Sequence, residues 1–132
     1  MSCLAVPSNL GTVLSFVEET CKEAGLNEEA CFAVRLAGEE VCCNIIDHAY
    51  DGVEPGPISL CLLREDEQVV LVVEDRAPAF DPADAPPPDL TSDLEHRRIG
   101  GLGWHLIRQM MDEVRHQALA SGGNRLELVK RL

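Results

Sequence analysis

Apolar residues recur at intervals of three and four through the first third of the chain, at Leu10, Val13, Leu14, Val17 and Cys21, then at Cys31, Val34, Val41, Cys42 and Ile45. A spacing of about 3.6 residues is that of one face of an α-helix, so two amphipathic helices are expected. The first lies between Pro7 and Gly25, with Ser8 or Asn9 placed to cap it. The second starts at Asn27, an N-cap residue followed by Glu28 and Glu29 in the first turn, and continues to about Tyr50. Asp51-Gly52 then turns the chain.

The pattern changes after that turn. Ile58 to Leu63 and Val69 to Glu74 are short, apolar and rich in β-branched residues, and the charged stretch Arg64 to Gln68 separates them, which predicts an antiparallel hairpin. From Arg76 to Arg98 neither period is present, and prolines stand at 78, 82 and 86 to 88. A structureless stretch longer than about 12–15 residues in a small domain is usually a functional lid or disordered. The helical spacing returns at Leu102, Leu106, Met110, Met111 and Val114, predicting a third helix from the Gly100-Gly101-Leu102-Gly103 cluster to about Gln117. Ser121-Gly122-Gly123 leads into a last alternating strand through Leu126 and Leu128. Helix, helix, hairpin, lid, helix and strand together predict an α+β sandwich, helices on one face of a mostly antiparallel sheet.

Composition narrows the range of functions. A chain of 132 residues that is 45% hydrophobic is expected to form one compact soluble domain. Eleven Lys and Arg against 23 Asp and Glu give a net charge of −12, and the lysines are Lys22 and Lys130 alone, which argues against a nucleic-acid binder. Any anionic ligand must therefore be held locally. No apolar run approaches the roughly 18–20 residues that cross a bilayer, and Met1 to Leu10 lacks the basic start and apolar core of a signal peptide, so a cytoplasmic protein with no membrane association is expected. The six cysteines include no CxxC pair and are expected as reduced packing thiols. The histidines lack HExxH spacing and the serines lack GxSxG, so neither a zinc site nor a hydrolase triad is expected.

Three stretches could carry chemistry. On the second helix Glu40 and Asn44 are four residues apart and share a face near Asp47 and His48. Asn offers a neutral oxygen to a hard cation such as Mg²⁺, and a carboxylate beside it can orient or deprotonate a hydroxyl, although a solvated helix face has the same spacing. Glu74 and Asp75 end the second hairpin strand, where an acid could accept from an exocyclic amine such as adenine's or simply form a turn. Gly100 to Gly103 open a helix, so backbone N–H groups there can approach phosphate. The dinucleotide fingerprint fails because Leu106 stands where its third glycine belongs, and no GK[ST] exists for a Walker loop. Arg97 and Arg98 could supply phosphate charge in place of lysine. Trp104 is expected as a core aromatic or as packing beneath the lid.

The order Glu40-Val-Cys-Cys-Asn44-Ile-Ile-Asp-His48, then Val73-Glu-Asp75 with Phe80-Asp-Pro82, then Gly100-Gly-Leu-Gly-Trp104 resembles the anti-sigma-factor serine/threonine kinases of bacterial partner switching. These switch kinases have the Bergerat (GHKL) ATPase fold shared with histidine kinases, gyrase B and Hsp90. The resemblance extends over nearly the whole chain and implies a single ATPase domain with a proline-rich ATP lid at about 82–99. It implies that Glu40 activates the attacking hydroxyl, that Asn44 reaches Mg²⁺ on the phosphates of ATP, and that Asp75 receives the adenine amine. Gly101, Leu102 and Gly103 would offer N–H groups to the phosphates, with Arg98 beside them. It further implies a STAS-domain antagonist as substrate, a sigma factor as alternate partner, and a homodimer.

The chain departs from the wider superfamily at two places. Asp75-Arg76-Ala77-Pro78-Ala79 lacks both glycines of DxGxG, which stiffens the loop and puts side chains where backbone would lie near the base. Asn124-Arg125 follows Gly123 where many relatives carry threonine near the base. These departures keep a second reading open: a module that sequesters a partner and binds nucleotide weakly or not at all. A fragment of a sensor histidine kinase is disfavoured, because no dimerisation helix with a phospho-accepting His precedes the nucleotide helix.

Overall fold

In the computed structural model the described residues are 1–80 and 99–132, with only the backbone described at 99–102. Their elements in chain order are β1 (Ser2–Leu4), α1 (Leu10–Glu23), α2 (Glu28–Asn44), β2 (Pro57–Arg64), β3 (Gln68–Asp75), α3 (Ile99–Met110), β4 (Glu113–Ala118) and β5 (Asn124–Arg131). The strands form one antiparallel sheet in the order β1-β2-β3-β5-β4. The fold is the expected α+β sandwich. The described residues contain no helix long and apolar enough to cross a membrane.

Both early helices form where the apolar spacing requires them. Asn27 caps α2, its Oδ1 accepting from the Ala30 N–H at 2.8 Å, while Glu28 and Glu29 meet the positive end of the helix dipole. Asn9 stands at the start of α1 behind a 3-10 turn at Pro7–Asn9, but its side chain donates back to the Leu4 carbonyl instead of capping the helix. Val13, Val17 and Cys21 of α1 and Val34, Val41 and Cys42 of α2 lie in one core with Ile58, Leu60, Leu71, Val73, Leu126 and Leu128 of the sheet. Gly38 lets α2 sit close to the sheet, since a Cβ there would come within 3.1 Å of Leu71 Cδ2.

Strand β3 is central and buried on both faces. Val69, Leu71 and Val73 point to the helices, while Val70 and Val72 pack with Val129 on the other side. A run of five apolar residues is what such a strand needs. The hairpin turn closes with the Glu65 N–H donating to the Gln68 carbonyl at 2.8 Å.

Two strands escape the sequence pattern. The third helix ends at Met110, not near Gln117, and Glu113–Ala118 is the edge strand β4 paired with β5. Met111 and Val114 fit a helical face by spacing, but pairing across to Leu128 and Leu126 puts Val114 and His116 on the helix side of the sheet. Tertiary pairing thus overrides local periodicity. The three-residue β1 is too short to leave a periodic signal.

The turn before β5 brings two backbones together. Gly123 has φ +108°, and a Cβ on it would strike the carbonyl oxygen of Asp75 and lie 2.9 Å from Arg76 Cα. Gly122, at φ +92°, has open space around it. Gly123→Ala is therefore expected to cost about 2–4 kcal/mol from strain and clash together, against about 1–2 kcal/mol for Gly122→Ala. Urea denaturation of the two variants measures the difference.

Candidate functional site

The end of α2 carries the first part of the site. Beyond Asn44 the helix widens into a π-helical turn, Ile45–Ala49, a distortion that recurs at functional sites. Asn44, Ile45, His48 and Ala49 then all line one cavity of about 420 Å³, whereas Asp47 is exposed and lies outside the lining. Tyr50 fixes this end of the helix to the sheet, its Oη donating to the Pro57 carbonyl at 2.7 Å and accepting from the Arg76 N–H at 2.8 Å. Its ring fills the space beside Gly56, where a Cβ would come within 2.7 Å of it.

Glu40, Asn44 and Gly103 meet where α2 and α3 pack. A Cβ on Gly103 would lie 3.2 Å from Glu40 Oε2, which would have to give by a few tenths of an ångström, and at ordinary contact distance, 3.5 Å, from Asn44 Nδ2. Burial, helped by the adjacent Glu39, pushes the Glu40 carboxyl up from its ordinary value. Asn44 Nδ2 is buried and has no hydrogen-bond partner among the described residues. An unmet buried donor is costly, so the Asn44 amide is available to an acceptor that enters the cavity.

The floor of the cavity is the end of β3. Asp75 is 5% exposed, and its Oδ1 accepts both the Ala77 N–H and Asn124 Nδ2 at 2.9 Å. Its Oδ2 has no hydrogen-bond partner among the described residues. Glu74 alternates to the opposite face and pairs there with Arg125 at 2.7 Å, so of the two acids only Asp75 belongs to the site. Phe80 and Trp104 stack as one wall, ring centroids 5.9 Å apart, which ties the segment after β3 to the start of α3.

Not every predicted residue falls within the described part. Gly101 and Leu102 lie in the first turn of α3, where N–H groups lack intrahelical partners, and Gly103 follows them. Arg97, Arg98, Asp81, Pro82 and all but the last residue of the expected lid at 82–99 lie outside the described residues. All six cysteines are free; burial pushes the Cys21 and Cys42 thiols up to about 12, where they stay protonated. His116 was not legible as a lining residue, because the stretch that carries it reads as helix. The alternation Val114, His116, Ala118 was its one available signal.

The histidine kinase-like ATPase domain family matches residues 3–130, and the chain belongs to it. Among curated relatives it is similar to the serine-protein kinase RsbW of Listeria monocytogenes serovar 1/2a, 34% identical over 96 residues that cover 70% of this chain and 61% of that protein. It is similar also to the serine/threonine-protein kinase BtrW of Bordetella bronchiseptica, 33% identical over 97 residues covering 74% and 68%. This chain thus spans less than two thirds of the Listeria kinase's length. A histidine kinase domain from the Erythrobacter litoralis EL346 blue-light activated histidine kinase shares the fold, with a TM-score of 0.56 at 18% identity over 92% of this chain and 59% of that one.

Trp104 is the single tryptophan of the sequence and is 5% exposed beneath Phe80. Phe80→Ala is expected to shift its fluorescence emission to the red while the far-ultraviolet circular dichroism stays unchanged. An unshifted spectrum would mean that Phe80 does not shield the ring.

Proposed function

We propose that the chain acts as the ATP-binding and catalytic domain of a Mg²⁺-dependent protein serine/threonine kinase. In this reading it is cytoplasmic and homodimeric, phosphorylates a STAS-domain antagonist, and regulates a sigma factor or another output by partner switching. The observation that carries the proposal is the meeting of Glu40, Asn44 and Gly103 beside a cavity that Asn44 shares with the buried Asp75. The printed names of the relatives, serine-protein kinase and serine/threonine-protein kinase, support the reaction class.

Each residue has a chemical duty in this reading. Asp75 Oδ2 accepts the exocyclic amine of adenine. Gly101, Leu102 and Gly103 turn backbone N–H groups to the phosphates, with Arg98 adding charge. Asn44 would hold Mg²⁺ through Oδ1, the amide atom that can ligate a hard cation, while its buried Nδ2, which has no partner among the described residues, is a donor suited to a phosphate oxygen. Mg²⁺, when bound, supplies charge neutralisation on the phosphates. Glu40 orients the acceptor hydroxyl and takes its proton as that oxygen forms a bond to the γ-phosphorus. The bond from the γ-phosphorus to the bridging oxygen breaks, and ADP leaves. The rival reading, a partner-sequestering module with weak or no nucleotide binding, rests on the missing glycines after Asp75. The segment still turns without them, the Ala77 N–H donating to Asp75 Oδ1.

Calorimetric titration with ATP, with and without Mg²⁺, tests the proposal. Micromolar, Mg²⁺-dependent binding is expected, weakened roughly 10–100-fold by Asn44→Ala. No binding at millimolar nucleotide would leave the sequestering module. Glu40→Ala should keep ATP affinity yet abolish transfer to the antagonist; undiminished phosphorylation would remove Glu40 from the base role.

The raised Glu40 carboxyl sets a pH dependence. The base works only when deprotonated, so transfer should rise with pH through a limb lying above the ordinary glutamate value. A pH profile of single-turnover phosphorylation measures this limb, which is expected to vanish in Glu40→Gln.

A further inference from the structure

Asn124 is 5% exposed and stands at the first position of β5, opposite Asp75. Its two polar atoms face two different sets of partners. Nδ2 donates to Asp75 Oδ1 at 2.9 Å and to the Pro78 carbonyl at 3.1 Å, with the Ala77 carbonyl at 3.4 Å. Oδ1 accepts from the Phe80 N–H at 2.8 Å and lies 2.9 Å from His116 Nε2. Reversing the amide would set its oxygen against a carboxylate and two carbonyls and its nitrogen against a backbone donor, so the orientation is over-determined. The same argument fixes His116, whose Nε2 must carry a proton to donate to Oδ1.

The segment after β3 lacks the glycines that let such a loop turn on its own, and Asn124 binds three of its backbone groups instead. Phe80 is thereby held where it stacks on Trp104. On the other side, Asn124 and the Ala77 N–H together occupy Asp75 Oδ1 and restrain the carboxylate's rotation, leaving Oδ2 as the oxygen without a partner among the described residues. An oxygen held in this way accepts from an amine and repels a carbonyl oxygen in the same place.

We propose that Asn124, oriented by His116, is the positioning residue that makes the base pocket select a purine bearing an exocyclic amine over its oxo counterpart. The inference rests on the nucleotide reading given above and adds to it a role for two residues of this chain, Asn124 at a position where many relatives carry threonine, and His116 on the edge strand. Neither Asn124 nor His116 need touch the reacting phosphates.

The test compares dissociation constants for ATP and inosine triphosphate, in which a carbonyl oxygen replaces the amine, using the purified full chain with Mg²⁺ and Trp104 fluorescence or calorimetry. The unmodified protein should prefer ATP on the order of 100-fold or more. Asn124→Ala should lower that preference roughly tenfold, mainly by weakening ATP, because the carboxylate it leaves is free to rotate. His116→Phe removes the donor to Asn124 Oδ1 and should lower the preference by a smaller factor, whereas His116→Gln, which keeps an N–H donor, should restore it. Equal loss of both nucleotides in Asn124→Ala, with the preference unchanged in folded His116→Phe, would reduce both residues to a structural role and overturn the inference alone. An unmodified protein that binds ATP and inosine triphosphate equally overturns it too, leaving the kinase reading in place. Absence of binding to either nucleotide removes both.

Discussion

A carboxylate buried at the end of the central strand constrains everything around it. Asp75 lies at 5% exposure, and polar oxygens so placed are costly unless donors are brought to them. Ala77 supplies one by turning its N–H back, and Asn124 supplies the other from the neighbouring strand. For Asn124 to arrive there the chain must close tightly onto Asp75 and Arg76, which is why a residue without Cβ precedes it. The same amide then gathers the segment that leaves β3 and sets Phe80 against Trp104. One acid thus dictates the loop after β3, the turn before β5 and a wall of the cavity.

The helical layer answers to a different requirement, the close approach of α2 to both the sheet and α3. Small residues make that approach possible: Gly38 faces Leu71, and Gly103 faces Glu40 and Asn44. The polar side of α2 is consequently half-buried at Glu40 and Asn44. Burial raises Glu40, and Asn44 Nδ2 has no partner among the described residues, which marks both as candidates for a site on this face. Tyr50 couples the layers by bonding the start of β2 and the end of β3 at once, so the π-helical turn and Asp75 are held in one frame. Kinase chemistry, in the reading proposed, needs this rigidity because phosphoryl transfer depends on positioning and charge more than on covalent assistance.

The hydrophobic spacing of α1, α2, β2 and β3 determined those elements by itself, because each buries one regular stripe or a continuous run, and the Asn27 cap is a local interaction between residues three apart. Glu40, Asn44, Asp75 and the glycines were legible as candidates because their order along the chain is distinctive. A strand turns the neighbours Glu74 and Asp75 to opposite faces by its own geometry, and only tertiary packing decided that the Asp75 face holds the cavity. Tertiary structure alone also turned Glu113–Ala118 into a strand and carried His116 to Asn124, because pairing with β5 satisfies a backbone whose side-chain spacing would equally suit a helix. Local sequence fixes what a segment buries; which long-range hydrogen bonds it makes depends on the partner strand that the fold sets beside it.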